Sequence, residues 1–240
     1  MKRRESRLGS ILFTLFLFGS VPFYGVLALL LGIASTRWTY RVAVAWSRAV
    51  LYLLDKLCGL DYIVEGLEHT EQENCVVLLK HSSAWETIAQ LAIFPKQTWV
   101  LKRELLWAPV LGWVLLLMHP IAIDRKAGRV AVDQVVSRGT RRLEEGYWVM
   151  IFPEGTRVAA GKVGRYGISG ALLAIKSGRS VIPVAHNAGV YWPRRGWRKR
   201  PGTIQVKIGQ PISTDGRSAR ELTEAVQQWI ETEVSSMSNI

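Results

Sequence analysis

Two short polar segments of this chain carry residue types that could do chemistry. Lys80-His81-Ser82-Ser83-Ala84-Trp85-Glu86 offers a histidine followed closely by a carboxylate, which is the equipment for taking a proton from a hydroxyl. Phe152-Pro153-Glu154-Gly155-Thr156-Arg157 sets an arginine beside a Pro/Gly turn. The amides of such a turn can hold a phosphate or steady an oxyanion, and the planar guanidinium can grip phosphate oxygens. A third polar ending, Ile123-Asp124-Arg125, could add Arg125 to Arg157 around one phosphate. A substrate bearing both a hydroxyl and a phosphate would use all three segments.

Each segment also has a plainer reading. Ser83-Ala84-Trp85-Glu86 is a capping box, in which Glu86 accepts the Ser83 amide. The two roles are compatible, because a carboxylate can accept several hydrogen bonds. The Gly155 segment could be an ordinary strand-to-helix loop, and Arg125 could form a surface ion pair.

These segments need elements to hold them, and the hydropathy pattern supplies candidates. Beyond residue 60 short apolar runs alternate with amphipathic stretches. Strands are expected at Tyr62–Glu65, Cys75–Leu79, Gln97–Leu101, Ile121–Ile123, Trp148–Phe152, Val181–His186 and Thr203–Ile208, the last alternating as an edge strand would. Helices are expected at Ala84–Phe94, Leu105–Met118, Arg129–Glu145, Gly167–Ser177 and Ser218–Met237. This order implies an α/β fold with a mixed, largely parallel sheet flanked by helices. His81 then stands at the carboxyl end of a buried strand, where ligand and catalytic groups collect in such folds.

Residues 1–58 read as a membrane-anchoring helical segment and 59–240 as one catalytic-size domain. After Lys2, Arg3, Arg4 and Arg7 comes an uncharged apolar run, Ile11–Ala34. As one helix it would measure about 36 Å, enough to cross a hydrocarbon core of about 30 Å. It is too long for the core of a usual secretory signal peptide. Gly19, Ser20, Pro22 and Gly25 cluster midway and would break or kink a helix there, which offers a re-entrant hairpin beside the single span. Basic residues at both ends, with Arg37, Arg41 and Arg48 after the run, favour one membrane side for both. Arg37–Leu57 reads as an amphipathic helix, lying on the membrane or packed on the core.

Bulk composition narrows the partners. A net charge of +12 calls for an anionic partner, and ten Trp tilt the choice toward a phospholipid membrane. No recognised nucleic-acid-binding module accompanies the charge, so nucleic acid is not expected. Tyr191–Arg200 mixes Trp192 and Trp197 with five basic residues and could rest on anionic headgroups or receive an acidic carrier protein. Cys58 and Cys75 have neither metal spacing nor a disulfide framework and read as buried thiols.

Taken in order, His81 to Glu86, Ile121 to Arg125, Phe152 to Arg157 and Val181 to Val184 resemble the four sequence blocks of the glycerolipid acyltransferase family, which includes bacterial 1-acylglycerol-3-phosphate acyltransferases. Lys102, Glu104, Leu105, Pro109 and Gly112 resemble the segment between the first two blocks, and the likeness covers roughly residues 60 to 215. The resemblance implies that His81 is a general base oriented by Glu86. It also implies that Lys102, Arg125, Glu154, Gly155, Thr156 and Arg157 bind an acceptor glycerol phosphate. The chain departs from the usual pattern at Glu86, where Asp is common, at Lys80, where Asn is frequent, and at Val158, where Ser is common.

The implied reaction moves a fatty acyl group from acyl-CoA or acyl carrier protein to 1-acylglycerol-3-phosphate, giving phosphatidic acid for phospholipid biosynthesis. His81 would act directly, with amides near Gly155 facing the oxyanion. No Gly-x-Ser-x-Gly elbow is present, which disfavours a serine nucleophile. No metal or resident cofactor is called for, the acyl thioester being a co-substrate. The expected location is the cytoplasmic face of a bacterial inner membrane, as a monotopic or single-span protein. Competing readings are transfer to another lysolipid, hydrolysis by the same histidine, and a noncatalytic lipid-binding surface.

Overall fold

The computed structural model describes residues 6–71 and 73–238, so the expected basic cluster Lys2, Arg3 and Arg4 lies outside the described residues. The element order begins with helices α1 (Arg7–Gly32) and α2 (Thr36–Cys58) and strand β1 (Leu60–Glu65). It continues β2 (Val76–Leu79), α3 (Trp85–Ile93), β3 (Gln97–Lys102), α4 (Leu111–Leu117), β4 (Ile121–Ile123), α5 (Arg129–Glu144) and β5 (Trp148–Ile151). The last elements are α6 (Ser169–Ser177), β6 (Val181–His186), α7 (Ala188–Tyr191), β7 (Gly202–Ile208) and α8 (Ala219–Ser238).

The strands form one seven-stranded sheet in the order β1-β7-β6-β2-β5-β3-β4. All neighbours run parallel except β6 and β7, as the fold class required. Thr203–Ile208 differs from its expected place: β7 lies between β1 and β6, and β1 is the edge. Its alternating burial arises from one covered face, with Ile204, Val206 and Ile208 turned into the core.

Strand alternation sorts the core into two layers. From β2, Val77 and Leu79 pack with the α1, α2 and α3 residues, whereas Val76 and Leu78 pack with those of α5, α6 and α8. Each such buried aliphatic side chain contributes about 1.5–3 kcal/mol relative to exposure. The same parity, carried past the strand end, sends Lys80 toward α8 and His81 toward the α3 side.

The N-terminal segment departs from the expected mid-run break. α1 is one continuous helix through Pro22, capped by the Ser6 hydroxyl on the Gly9 amide at 2.9 Å. The reversal comes at residues 33–35, where the Ser35 hydroxyl accepts from the Arg37 amide and starts α2. The midway cluster does not break the helix; Ser20 and Gly25, with Gly9 nearer its start, let α1 approach its neighbours. A Cβ on Gly9 would meet the Leu57 carbonyl oxygen at 1.9 Å, and one on Gly25 would meet a Val110 methyl at 2.4 Å. Trp46 Nε1 donates to Ser20 Oγ at 3.0 Å, and Thr39 Oγ1 donates to the Ala28 carbonyl at 3.1 Å, locking an antiparallel pair.

α2 ends at Gly59 in the left-handed region, with φ of 63°. Gly59 opens the expected domain at 59–240, yet the core runs across that boundary: Val50, Leu54 and Phe13 share one cluster with Ile204 and Val206. The expected helix Leu105–Met118 is also divided, into a 3-10 turn at Arg103–Trp107 and α4. Ala108 is extended and Pro109 follows it, in line with the bias of pre-proline residues away from helix.

The basic segment Tyr191–Arg200 is only partly a surface. Trp192 is buried edge-to-face on Phe13 at 5.5 Å, and the buried Lys199 donates to Thr14 Oγ1 at 2.6 Å. These two residues fasten α1 to the domain, while Trp197 remains half exposed. Cys58 and Cys75 are buried free thiols, and burial pushes the Cys75 thiol up to about 12.

Candidate active site

The site gathers where the sequence order of the sheet reverses, at the carboxyl end of β2 between β5 and β6. His81 leaves β2 with its backbone held on both sides. Its N–H donates to Glu154 Oε2 at 2.9 Å, and its carbonyl accepts from the Val158 amide at 2.8 Å. The imidazole stacks on Phe152, with centroids 4.0 Å apart and planes 17° from parallel.

Glu86 comes back to His81 from the first turn of α3. Its Oε1 lies 2.9 Å from His81 Nδ1 and also accepts the amides of Ser82 at 2.9 Å and Ser83 at 2.8 Å. The capping-box reading and the orienting reading therefore hold together, on a side chain with 1% exposure. The box is modified on the serine side: Ser83 Oγ accepts from the Trp85 amide and donates to the Trp192 carbonyl. An ionised carboxylate only accepts, so beside it Nδ1 is the donor, and in the neutral imidazole the lone pair is then on Nε2.

His81 lines a cavity of about 380 Å³ together with Phe152 and Arg125. The rest of its wall is mostly apolar, with Gly25, Trp46, Leu91, Leu101, Val114 and Met118 among the residues from α1, α2, α3, β3 and α4. The helical hairpin thus builds one wall of the site. Arg125 follows β4, and its guanidinium donates to the Gly155 carbonyl, which brings the second and third polar segments together. Burial pulls the Arg125 guanidinium down from its ordinary value.

Other expected ligands are placed differently. The Glu154 side chain is fully enclosed, forming an ion pair at 2.9 Å with Lys80 and accepting the His81 amide. It faces the protein interior and stands outside the cavity lining. The Gly155 amide, expected near an oxyanion, donates to the Phe152 carbonyl at 3.0 Å and closes the turn, with φ of 65°. Lys102 pairs with Glu104 at 3.4 Å on the surface. Lys102, Thr156 and Arg157 stand outside the cavity lining. The Arg157 carbonyl accepts from Arg194 Nη1 at 2.9 Å, so a second guanidinium joins that loop.

Three contributors were missed by the sequence reading. His186, at the end of β6, donates from Nε2 to the Lys80 carbonyl at 2.8 Å, accepts the Ala188 amide on Nδ1, and lies 3.8 Å from Glu86 Oε2. Burial holds this imidazole below its usual value, with Glu86 opposing. Glu231 and Tyr166 reach the back of the site from α8 and the loop before α6. Only the position of His186 at the end of a continuous buried strand could have flagged it. Glu231 lies 151 residues from its partner Lys80, and no local pattern reports such a pair. Among the described residues, no group of three metal-ligating side chains is placed to hold an ion.

Comparison with known proteins agrees with this architecture. The family model described as Acyltransferase matches residues 61–187. The 1-acyl-sn-glycerol-3-phosphate acyltransferase of Pseudomonas aeruginosa is 41% identical over 236 residues, covering 96% of this chain and 92% of that protein. The similarly named protein of Limnanthes alba is 27% identical over 79% of this chain and 69% of its own length. The crystal structure of the 1-acyl-sn-glycerophosphate acyltransferase PlsC from Thermotoga maritima shares the fold, with a TM-score of 0.80, 23% identity and coverage of 96% and 95%. A histidine held by a carboxylate over an apolar cavity, within a chain so matched over its length, places this protein in the acyltransferase family.

Proposed function

We propose that this protein transfers a fatty acyl group from an acyl thioester to the free hydroxyl of 1-acyl-sn-glycerol-3-phosphate, forming phosphatidic acid. The observation carrying this reading is the His81 imidazole, oriented by Glu86 through Nδ1 at 2.9 Å and lining an apolar cavity shared with Arg125. The acceptor is the one for which the Pseudomonas and Limnanthes relatives are named.

In this mechanism His81 Nε2 removes the acceptor hydroxyl proton as that oxygen attacks the thioester carbonyl. The new C–O bond forms, the tetrahedral intermediate collapses with loss of the C–S bond, and the imidazolium returns its proton to the departing thiolate. A positioned base of this kind contributes about 10²–10⁴ in rate. Arg125 holds the acceptor phosphate, and the apolar cavity takes acyl methylenes. The chemistry asks for no metal or resident cofactor. The donor is a thioester of coenzyme A or of acyl carrier protein.

The membrane supplies the acceptor. α1 is long and apolar enough to cross a bilayer, but its partner α2 packs along the domain through Val50, Leu51 and Leu54. α1 exposes Leu8, Leu15, Phe18, Phe23 and Leu30 and packs against α4, and α4 with the turn before it exposes Trp107, Trp113 and Leu116. Exposed apolar patches of this kind mark membrane or protein contact. The arrangement fits a monotopic seat in the cytoplasmic leaflet of a bacterial inner membrane.

The test is purified protein in detergent with a labelled acyl thioester, offered a panel of lysolipids and water alone. Labelled phosphatidic acid formed with lysophosphatidic acid in preference to other acceptors is the expected result. Free fatty acid as the sole product would assign hydrolysis, and a preference for another lysolipid would reassign the acceptor.

A further inference from the structure

Lys80 adjoins the proposed base, yet its side chain points away from the substrate cavity. That side chain is 3% exposed, and its ammonium lies 2.9 Å from Glu154 Oε1 and 2.6 Å from Glu231 Oε1. Tyr166 Oη donates to the same Glu231 oxygen at 2.9 Å. The other Glu154 oxygen accepts the His81 backbone N–H at 2.9 Å. A continuous polar chain therefore runs from Tyr166 through Glu231, Lys80 and Glu154 to the backbone of His81.

The Lys80 backbone is pinned as firmly as its side chain. Its N–H donates to the Val184 carbonyl at 3.0 Å, and its carbonyl accepts from His186 Nε2 at 2.8 Å. Burial of an ion such as this is tolerated only where its partners satisfy it. One ammonium here serves two carboxylates on different elements, the loop after β5 and helix α8. Burial pushes the Glu154 carboxyl up, and Lys80 opposes that push. Without Lys80, Glu154 would face burial unpaired, and the acceptor for the His81 amide would be altered.

We propose that Lys80, bridging Glu231 and Glu154, is a positioning residue for His81, and that Glu154 acts on the reaction through the His81 backbone and not by holding the acceptor. This inference rests on His81 being the base. Lys80 itself touches no reacting atom. Its function is to fix the turn that carries the imidazole, from the side opposite to Glu86.

The experiment measures kcat and acceptor KM of the full-length protein in detergent for Lys80→Met, Glu154→Gln, the double variant and Glu231→Gln, with His81→Ala as control. Lys80→Met and Glu154→Gln are each expected to lower kcat about 10- to 100-fold while acceptor KM moves less than about 3-fold. The double variant should be no worse than the weaker single one by more than about 3-fold, because residues acting as one unit are non-additive. If Lys80→Met does not fold, Glu231→Gln takes its place, with an expected loss of about 3- to 10-fold in kcat at unchanged KM.

Folded Lys80→Met, or Glu231→Gln in its place, with wild-type kcat overturns the bridge. So do losses that multiply in the double variant, or a Glu154→Gln that raises acceptor KM about 10-fold at unchanged kcat. A His81→Ala protein at full rate overturns the base assignment, and the bridge with it. An inactive His81→Ala beside an unaffected Lys80→Met rejects the bridge alone.

Discussion

The Glu86 carboxylate oxygen that lies 2.9 Å from His81 Nδ1 also takes the backbone N–H groups of Ser82 and Ser83. One atom thus starts a helix and aims an imidazole. Its position depends on reach, since Glu86 must extend from α3 back across the turn. Glu86→Gln should keep the bulk but lose the ionised acceptor, lowering kcat about 10²-fold or more. Glu86→Asp, shorter by one methylene, should cost about 10-fold. Steady-state kinetics on both variants check the ranking, and an Asp variant worse than Gln would show that reach outweighs charge.

Among the described residues, Arg125 brings the only guanidinium that lines the cavity. Charge-assisted hydrogen bonds of this type are worth about 1.5–3 kcal/mol, so Arg125→Ala should raise the lysophosphatidic acid KM by about 10- to 100-fold. A neutral monoacylglycerol offered as a poor acceptor should be affected far less. Equal losses on both acceptors would remove Arg125 from phosphate binding.

The apolar cavity is bounded by Val114 and Met118 of the α4 segment. Filling it with Val114→Trp should depress transfer of long acyl chains while sparing short ones, which a donor series from eight to eighteen carbons, on the order of a pocket this size, would reveal. A uniform loss across chain lengths would argue that the cavity does not hold the acyl tail.

Close packing of the hairpin predicts stability effects remote from the chemistry. A methyl group on Gly9 overlaps the Leu57 carbonyl, which is backbone and cannot swing aside. Gly9→Ala should destabilise by about 1–3 kcal/mol and lower Tm by roughly 2–4 °C per kcal/mol. Gly19→Ala, where an added Cβ meets nothing within 4 Å, is the control and should leave Tm unchanged or slightly raised.

His186 gives a pH dependence with a definite sign. Burial lowers its folded value below 6.5, and both ring nitrogens are committed, Nε2 to the Lys80 carbonyl and Nδ1 to the Ala188 amide. As pH falls through about 6.5 the unfolded chain takes up this proton first, so its contribution to stability is lost on acidification. Glu86 at 3.8 Å opposes the shift without reversing it. Denaturant melts between pH 5.5 and 7.5 should show stability rising with pH, and His186→Gln should flatten that slope.

The sheet was legible because its central strands are continuous apolar runs, Val76–Leu79, Trp148–Ile151 and Val181–Ala185, each followed by a polar residue or turn. His81 and Glu86 were legible because their partnership is local, within one turn. The hairpin reversal was misplaced because Gly, Ser and Pro weigh alike in sequence whether they break a helix or let another helix approach. Ser20 and Gly25 do the latter, as Trp46 and Val110 show. The ion pair of Glu154 was not legible because its partner is the distant Lys80, whose own second partner lies on the C-terminal helix. Charge pairs across such separations leave no mark in local periodicity.

The most direct test is the rate of acyl transfer by His81→Ala, measured in a single turnover with labelled acyl thioester and lysophosphatidic acid, on protein shown to be folded by its thermal melt. A loss of about 10²–10⁴ in rate with little change in acceptor affinity is expected of a missing base. Transfer at the wild-type rate would contradict the assignment of His81.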